Sequence, residues 1–156
     1  MAHYADLAPC DYFTSDHDGK LVAVGWLARG HEFSRGDVDS DLVTRIHQLL
    51  VNPWQPCVAM GPHPCDFCRV SGGPGQITMD TISATLGVSN LFVPADNRLF
   101  VAPSLILHYI DAHDYSPPQD FCDAVMACPE MRSIDYLKLI RKVAPPALFS
   151  INETVM

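Results

Sequence analysis

Two cysteines three positions apart, Cys65 and Cys68 in "HPCDFC", and two histidines five apart, His108 and His113 in "HYIDAH", are the residues best suited to chemistry in this chain. A Cys-x-x-Cys turn presents two thiolates to one cation, and the His-x₃₋₅-His interval is one that zinc sites use. Together they form a candidate zinc set of Cys65, Cys68, His108 and His113. In a regular helix, positions five apart diverge by about 140°. Both imidazoles therefore reach one ion only if the helix ends near Ala112, and the following "DYSPP" supplies such an end. The interval from Cys68 to His108 is far longer than in a compact zinc finger. His31, Glu32, His63 and Asp111 are substitute ligands or acid/base groups.

Three other chemistries compete for the same cysteines. A redox dithiol needs the pair at a helix N-terminus, which lowers the first thiol's pKa, but Cys68 runs through Arg69-Val70 into "SGGPG". A zinc deaminase pairs H-x-E with P-C-x-x-C. "PCDFC" meets the second half, yet Phe33 stands where the acid after His31 should be, and Glu32 is one position early. The plainest alternative is that Cys65 and Cys68 are small, half-buried packing residues and the histidines merely pack or hydrogen-bond.

Other site classes are weaker. "SGGPG" lacks the Walker lysine and the spacing of a dinucleotide fingerprint, and no G-x-S-x-G element is present. Asp37, Asp39 and Asp41 alternate without the glycine and closing glutamate of a calcium loop, and read as a solvated helix start. The 10 Lys+Arg against 18 Asp+Glu give a formal charge of -8, which opposes nucleic-acid binding and suits solubility or a basic protein partner. No apolar run reaches the roughly 20 residues of a membrane span. "MAHYADLAPCDYF" has neither the basic nor the apolar part of a signal peptide, so the expected compartment is the cytoplasm, where cysteines remain thiols or bind metal.

The elements that must position these residues are short, because thirteen prolines punctuate the chain. Residues 20–27, "KLVAVGWL", read as a strand. Asp39 or Ser40 caps a helix with Leu42, Val43, Ile46, Leu49 and Leu50 on one face; His47 within it reads as a surface or boundary residue. Residues 51–75 are irregular, and a loop of that length is usually functional or held by something, a metal ion being one candidate. "QITM" reads as a short strand, and "DTISATLGVS" as a short helix or surface excursion. Residues 91–93 and 99–101 read as strands around an Ala95-Asp96-Asn97 turn.

A short apolar helix, "LILHYIDAH", follows. Ser116, Pro117 and Gln119 spell a capping box for the next helix, with Phe121, Cys122, Val125 and Met126 as its apolar stripe. A last helix through "SIDYLKLIRKV" packs through Ile134, Leu137 and Ile140. Trp26 and Trp54 are expected at the core or its edge. The fold class is α+β: a single domain over 1–156, with a small antiparallel sheet, a zinc-knuckle-like loop and C-terminal helices.

"YADLAPCDYF", "VGWLARGHEF", "HPCDFC" and "RLFVAPSLILHYIDAHDYSPPQDFCDAV" together resemble a family of small bacterial proteins of unknown function. The resemblance covers most of residues 3–126. It implies that His31, His63, Cys65, Cys68, His108, Tyr109 and His113 are motif positions, and it brings no activity, cofactor or partner. Three functions are compatible with these residues. One is a non-enzymatic protein-interaction domain with a structural zinc, of the kind that neutralises a basic partner as an immunity protein does. The second is a zinc hydrolase or deaminase-like enzyme in which water replaces one ligand and His31-Glu32 supply the acid/base group. The third is a metal-free fold in which these positions only pack.

Overall fold

A computed structural model describes residues 3–13, 20–56, 64–68, 75–146 and 148; His63 and Cys57 lie outside them. The architecture is α+β. Its centre is a three-stranded sheet of β1 (Leu21–Ala23), β4 (Asn90–Pro94) and β5 (Leu99–Pro103), in the order β1-β5-β4. Every residue of these strands is buried, as expected of near-continuous apolar runs covered on both faces.

β4 and β5 form the anticipated hairpin, with Phe92 opposite Val101 and Ala95 N–H closing its turn onto Arg98 O at 2.9 Å. β1 adds to β5 in parallel, Val22 beside Phe100. A parallel pair needs a long crossover, and here the crossover carries α1 (Ser40–Leu50) and a separate antiparallel ribbon. The strand expected over 20–27 is cut short at Ala23, because Gly25 turns the backbone at φ +76°. Trp26 then folds under the sheet and donates from Nε1 to Val101 O at 3.0 Å. Trp54 packs at the core edge. The outer edge of β1 is covered by the N-terminal segment, through Leu7 N–H to Ala23 O and Cys10 N–H to Leu21 O.

"DTISATLGVS" is neither a helix nor an excursion. Ile82–Thr85 is β3, paired antiparallel with β2 (Gln76–Met79). Asp80 and Thr81 make the two-residue turn with φ of +50° and +68°, the left-handed pair that matches the twist of a hairpin. α1 starts as expected: Asp39 accepts from Asp41 N–H at 2.8 Å. His47, however, is no surface residue. It is 3% exposed and its Nε2 meets Ile77 O at 2.9 Å, tying the ribbon to the helix.

α3 (Gln119–Ala127) begins later than the capping box predicts, behind Pro118 and without a side-chain cap. Ser116 is taken by tertiary pairing instead: its N–H donates to Ser34 O, and Gly36 N–H donates to Asp114 O. Gln119 bonds forward to Asp123 at 2.8 Å. Phe121 and Val125 are buried, Cys122 is half-buried and Met126 is exposed, so the stripe is narrower than read. α4 (Ile134–Val143) packs through Tyr136, Ile140 and Val143, not through Ile134 or Leu137, which are exposed. The Tyr136 hydroxyl donates to Phe92 O at 2.8 Å. Among the described residues, no helix is long and apolar enough to cross a membrane.

Candidate metal centre

The centre is assembled by α2 (Ile106–His113), which follows directly from central strand β5. Ser104, at the junction, is wholly buried and accepts from Gly87 N–H at 2.7 Å, so the helix leaves the sheet at a fixed place. Ile106, Leu107, Tyr109 and Ile110 bury against the core. The helix ends where the two histidines require it. Asp114 takes a left-handed conformation at φ 58° and its N–H closes onto Tyr109 O, the αL cap to which Asn and Asp are the best suited non-glycine residues. His113 is thus the last helical residue, and its ring lies 5.1 Å from that of His108, nearly perpendicular to it.

The cysteines come from a tight turn, with Cys68 N–H over Cys65 O at 3.4 Å. Among the described residues 64–68 the pair sits in this turn, outside any helix. Arg29 holds the turn from outside: its backbone N–H donates to the Asp66 carboxylate at 3.3 Å and its guanidinium to Asp66 O at 2.8 Å. Phe67 anchors it from inside, against Phe33 at 5.5 Å, His113 at 5.3 Å and Tyr109 at 6.1 Å between ring centroids. Beneath them Tyr115 is wholly buried and donates to Asp6 at 2.8 Å.

The Sγ atoms of Cys65 and Cys68 and the Nε2 atoms of the two histidines converge. Cys65 Sγ lies 3.4 Å from His113 Nε2, and Cys68 Sγ lies 3.3 Å from His108 Nε2 and 3.5 Å from His113 Nε2. All four donor atoms fall within 4.8 Å of one another. Tetrahedral zinc with its usual bond lengths would set sulfur and nitrogen about 3.6 Å apart, so these spacings are close to the edges of such a polyhedron. Thiol–imidazole hydrogen bonds alone satisfy the arrangement poorly, because two sulfurs crowd one nitrogen that offers a single lone pair. A cation at the centre satisfies all four. The four residues are therefore placed to bind a metal ion.

Burial shapes their protonation. It pushes the Cys65 thiol up, and it lowers His108, helped by the neighbouring His113 and opposed by Asp111. His108 is thereby kept in the neutral form a metal needs.

His63 lies outside the described residues, and the described substitutes are not among the clustered donors. His31 and Glu32 are exposed; the His31 ring stacks on His3 with centroids 3.7 Å apart. Asp111 is exposed and is not among the clustered donors, though its charge acts on His108. Sequence reasoning missed Arg29, Phe33, Asp66, Phe67 and Tyr115 as supports. Phe67 gave a signal, being a large apolar side chain inside a Cys-x-x-Cys turn; Arg29 and Asp66 gave none, since their pairing is purely tertiary.

No curated protein and no solved structure matches the chain. The sequence family described as a domain of unknown function, DUF7919, matches residues 2–126, a span that contains every residue of this centre, and the chain belongs to that family.

Proposed function

We propose that the chain is a non-enzymatic, cytoplasmic protein-interaction domain braced by a structural zinc ion on Cys65, Cys68, His108 and His113. The convergence of two sulfurs and two Nε2 atoms at tetrahedral spacing carries this reading. Two thiolates with two imidazoles suit zinc better than harder cations, which prefer oxygen ligands. Four protein donors fill the tetrahedron, whereas a catalytic zinc keeps one position for water. The hydrolase alternative is less well supported, since His31 and Glu32 stand exposed outside the cluster.

The partner side of the proposal rests on charge. The formal charge is -8, and Asp37, Asp39, Asp41 and Asp123 line one cleft with Val38, Leu42 and Met126. A basic protein, neutralised as an immunity protein neutralises its toxin, suits such a surface.

Elemental analysis of the purified chain should find one zinc per chain, and chelation should lower its melting temperature. Absence of stoichiometric metal, or a melting curve indifferent to chelation, would sink the zinc half. Capture from the native host at low salt should return a basic protein in stoichiometric amount, released as salt screens the contact; no such protein would sink the other half.

A further inference from the structure

We infer that Arg29 is a positioning residue of the metal centre: clasped crosswise onto Asp66, it sets the Cys65–Cys68 turn against the two histidines, so that metal affinity depends on it. The inference rests on the zinc site proposed above and deepens it.

Arg29 and Asp66 meet in a reciprocal pattern. The backbone N–H of Arg29 donates to the Asp66 carboxylate at 3.3 Å, and the Arg29 guanidinium donates to the Asp66 carbonyl oxygen at 2.8 Å. The ion pair found among the described residues lies elsewhere, between Arg98 and Asp120. The carbonyl that takes the guanidinium belongs to the peptide between Asp66 and Phe67, at the centre of the Cys-x-x-Cys turn. Two crossed bonds fix the orientation of this peptide as well as its place, which a contact between two charged tips does not. A guanidinium suits the task, because its donors lie in a rigid plane and its charge strengthens the bond.

Both halves of the ligand set hang from β5. Trp26 donates from Nε1 to Val101 O at 3.0 Å, Leu27 is buried, and Arg29 follows two residues later. α2, which carries His108 and His113, leaves the same strand just after Pro103. Phe33, a little beyond Arg29, packs on Phe67 with ring centroids 5.5 Å apart. The sheet therefore sets where Arg29 stands relative to the imidazoles, and the clasp passes that setting to the sulfurs. A site ordered in advance binds more tightly, because binding then costs no ordering of the turn.

Arg29→Ala in the full chain tests this, with Co²⁺ as the optical probe and Zn²⁺ competition for affinity. The variant should bind both ions roughly 10-fold more weakly, as loss of an outer-shell partner does. Its cobalt absorption bands should shift, because the sulfurs lose their fixed direction. Asp66→Ala removes the carboxylate and keeps the carbonyl, so it should weaken binding in the same direction and by less. In chelator, Arg29→Ala should melt close to the parent, since Arg29 is exposed. Unchanged affinity and bands in Arg29→Ala, beside a parent that does bind cobalt, would overturn the inference. So would a fall in melting temperature that is equal in zinc and in chelator, the mark of a contact that serves stability alone. A parent chain that binds no cobalt would refute the metal centre itself and this inference with it, an outcome that the parent titration alone reveals.

Discussion

Replacing both Cys65 and Cys68 by serine should abolish metal-dependent stability while leaving the fold in place. The two histidines are reached from the knuckle across a separation of 40 positions from Cys68 to His108, so the cation would join two segments that the core otherwise holds unequally. α2 is fixed by Ile106, Leu107, Tyr109 and Ile110. The knuckle has Phe67 and the Arg29–Asp66 contacts. Metal binding to the folded state alone adds about 4 kcal/mol when free zinc is 1,000-fold above its dissociation constant. For a domain of this size each kcal/mol is about 2–4 °C of melting temperature, so the expected rise on adding zinc is roughly 8–16 °C.

Differential scanning calorimetry of the parent and of the double variant, each in zinc and in chelator, reads this directly. In chelator the two should melt within a few degrees of each other, with a cooperative transition, because the sheet, α1, α3 and α4 bury their core without the knuckle. In zinc only the parent should move. A double variant that gains as much from zinc as the parent would refute the assignment of these sulfurs as ligands. Complete unfolding of the parent in chelator would refute the claim that the core stands apart from the site.

Three further outcomes follow from buried polar groups. His47→Leu should cost about 1–3 kcal/mol by leaving Ile77 O unpaired, with faster amide exchange confined to β2 and β3. Asp6→Ala should destabilise by a similar about 1–3 kcal/mol, since the buried Tyr115 hydroxyl loses its acceptor. Adding Tyr115→Phe should then cost little more in a urea-unfolding cycle. The thiols of Cys10 and Cys128 are both pushed by burial from 9.0 up to about 11. The folded state therefore holds protons that the unfolded chain releases, so the contribution of these two thiols to stability is fully present below pH 9 and is lost as pH rises towards about 11. Cys10→Ala with Cys128→Ala should flatten that alkaline fall in pH-dependent melting.

Much of the Cys/His cluster was legible in the sequence because its four residues carry their own signal. Cys65 and Cys68 are close in the chain, and so are His108 and His113; only the pairing of the two pairs is tertiary. The helix end that lets both histidines reach the cluster was also readable, from "DYSPP" directly after His113. Local signals failed where the chain's own partners were overridden from a distance. Ser116 has the chemistry of an N-cap, but its backbone pairs with Ser34 and the helix waits for Gln119. His47 looks like a boundary residue until the β2–β3 ribbon lays Ile77 O over it. The apolar period of "SIDYLKLIRKV" suggests Ile134 and Leu137 as core, yet Tyr136 fits the space above Phe92 and turns those two outward. The parallel edge of the sheet is likewise invisible locally, since pairing of β1 with β5 depends on everything folded between them.

The family match ends at residue 126, and α4 lies beyond it, yet α4 is no appendage. Tyr136, Ile140, Val143 and Leu148 are buried in the same core as the sheet, and the bond from Tyr136 to Phe92 O closes over β4. The candidate metal centre, by contrast, draws on β5, α2, the Arg29–Phe33 loop and the knuckle, all inside the matched span. α4 thus bonds to β4 through Tyr136, whereas the helix carrying the histidines follows from β5. Energetic effects at sites without shared partners add to within about 0.5 kcal/mol. Tyr136→Phe should therefore lower the melting temperature equally in zinc and in chelator, and leave zinc affinity unchanged. A loss of zinc affinity in that variant would show that α4 and the knuckle are coupled through the sheet.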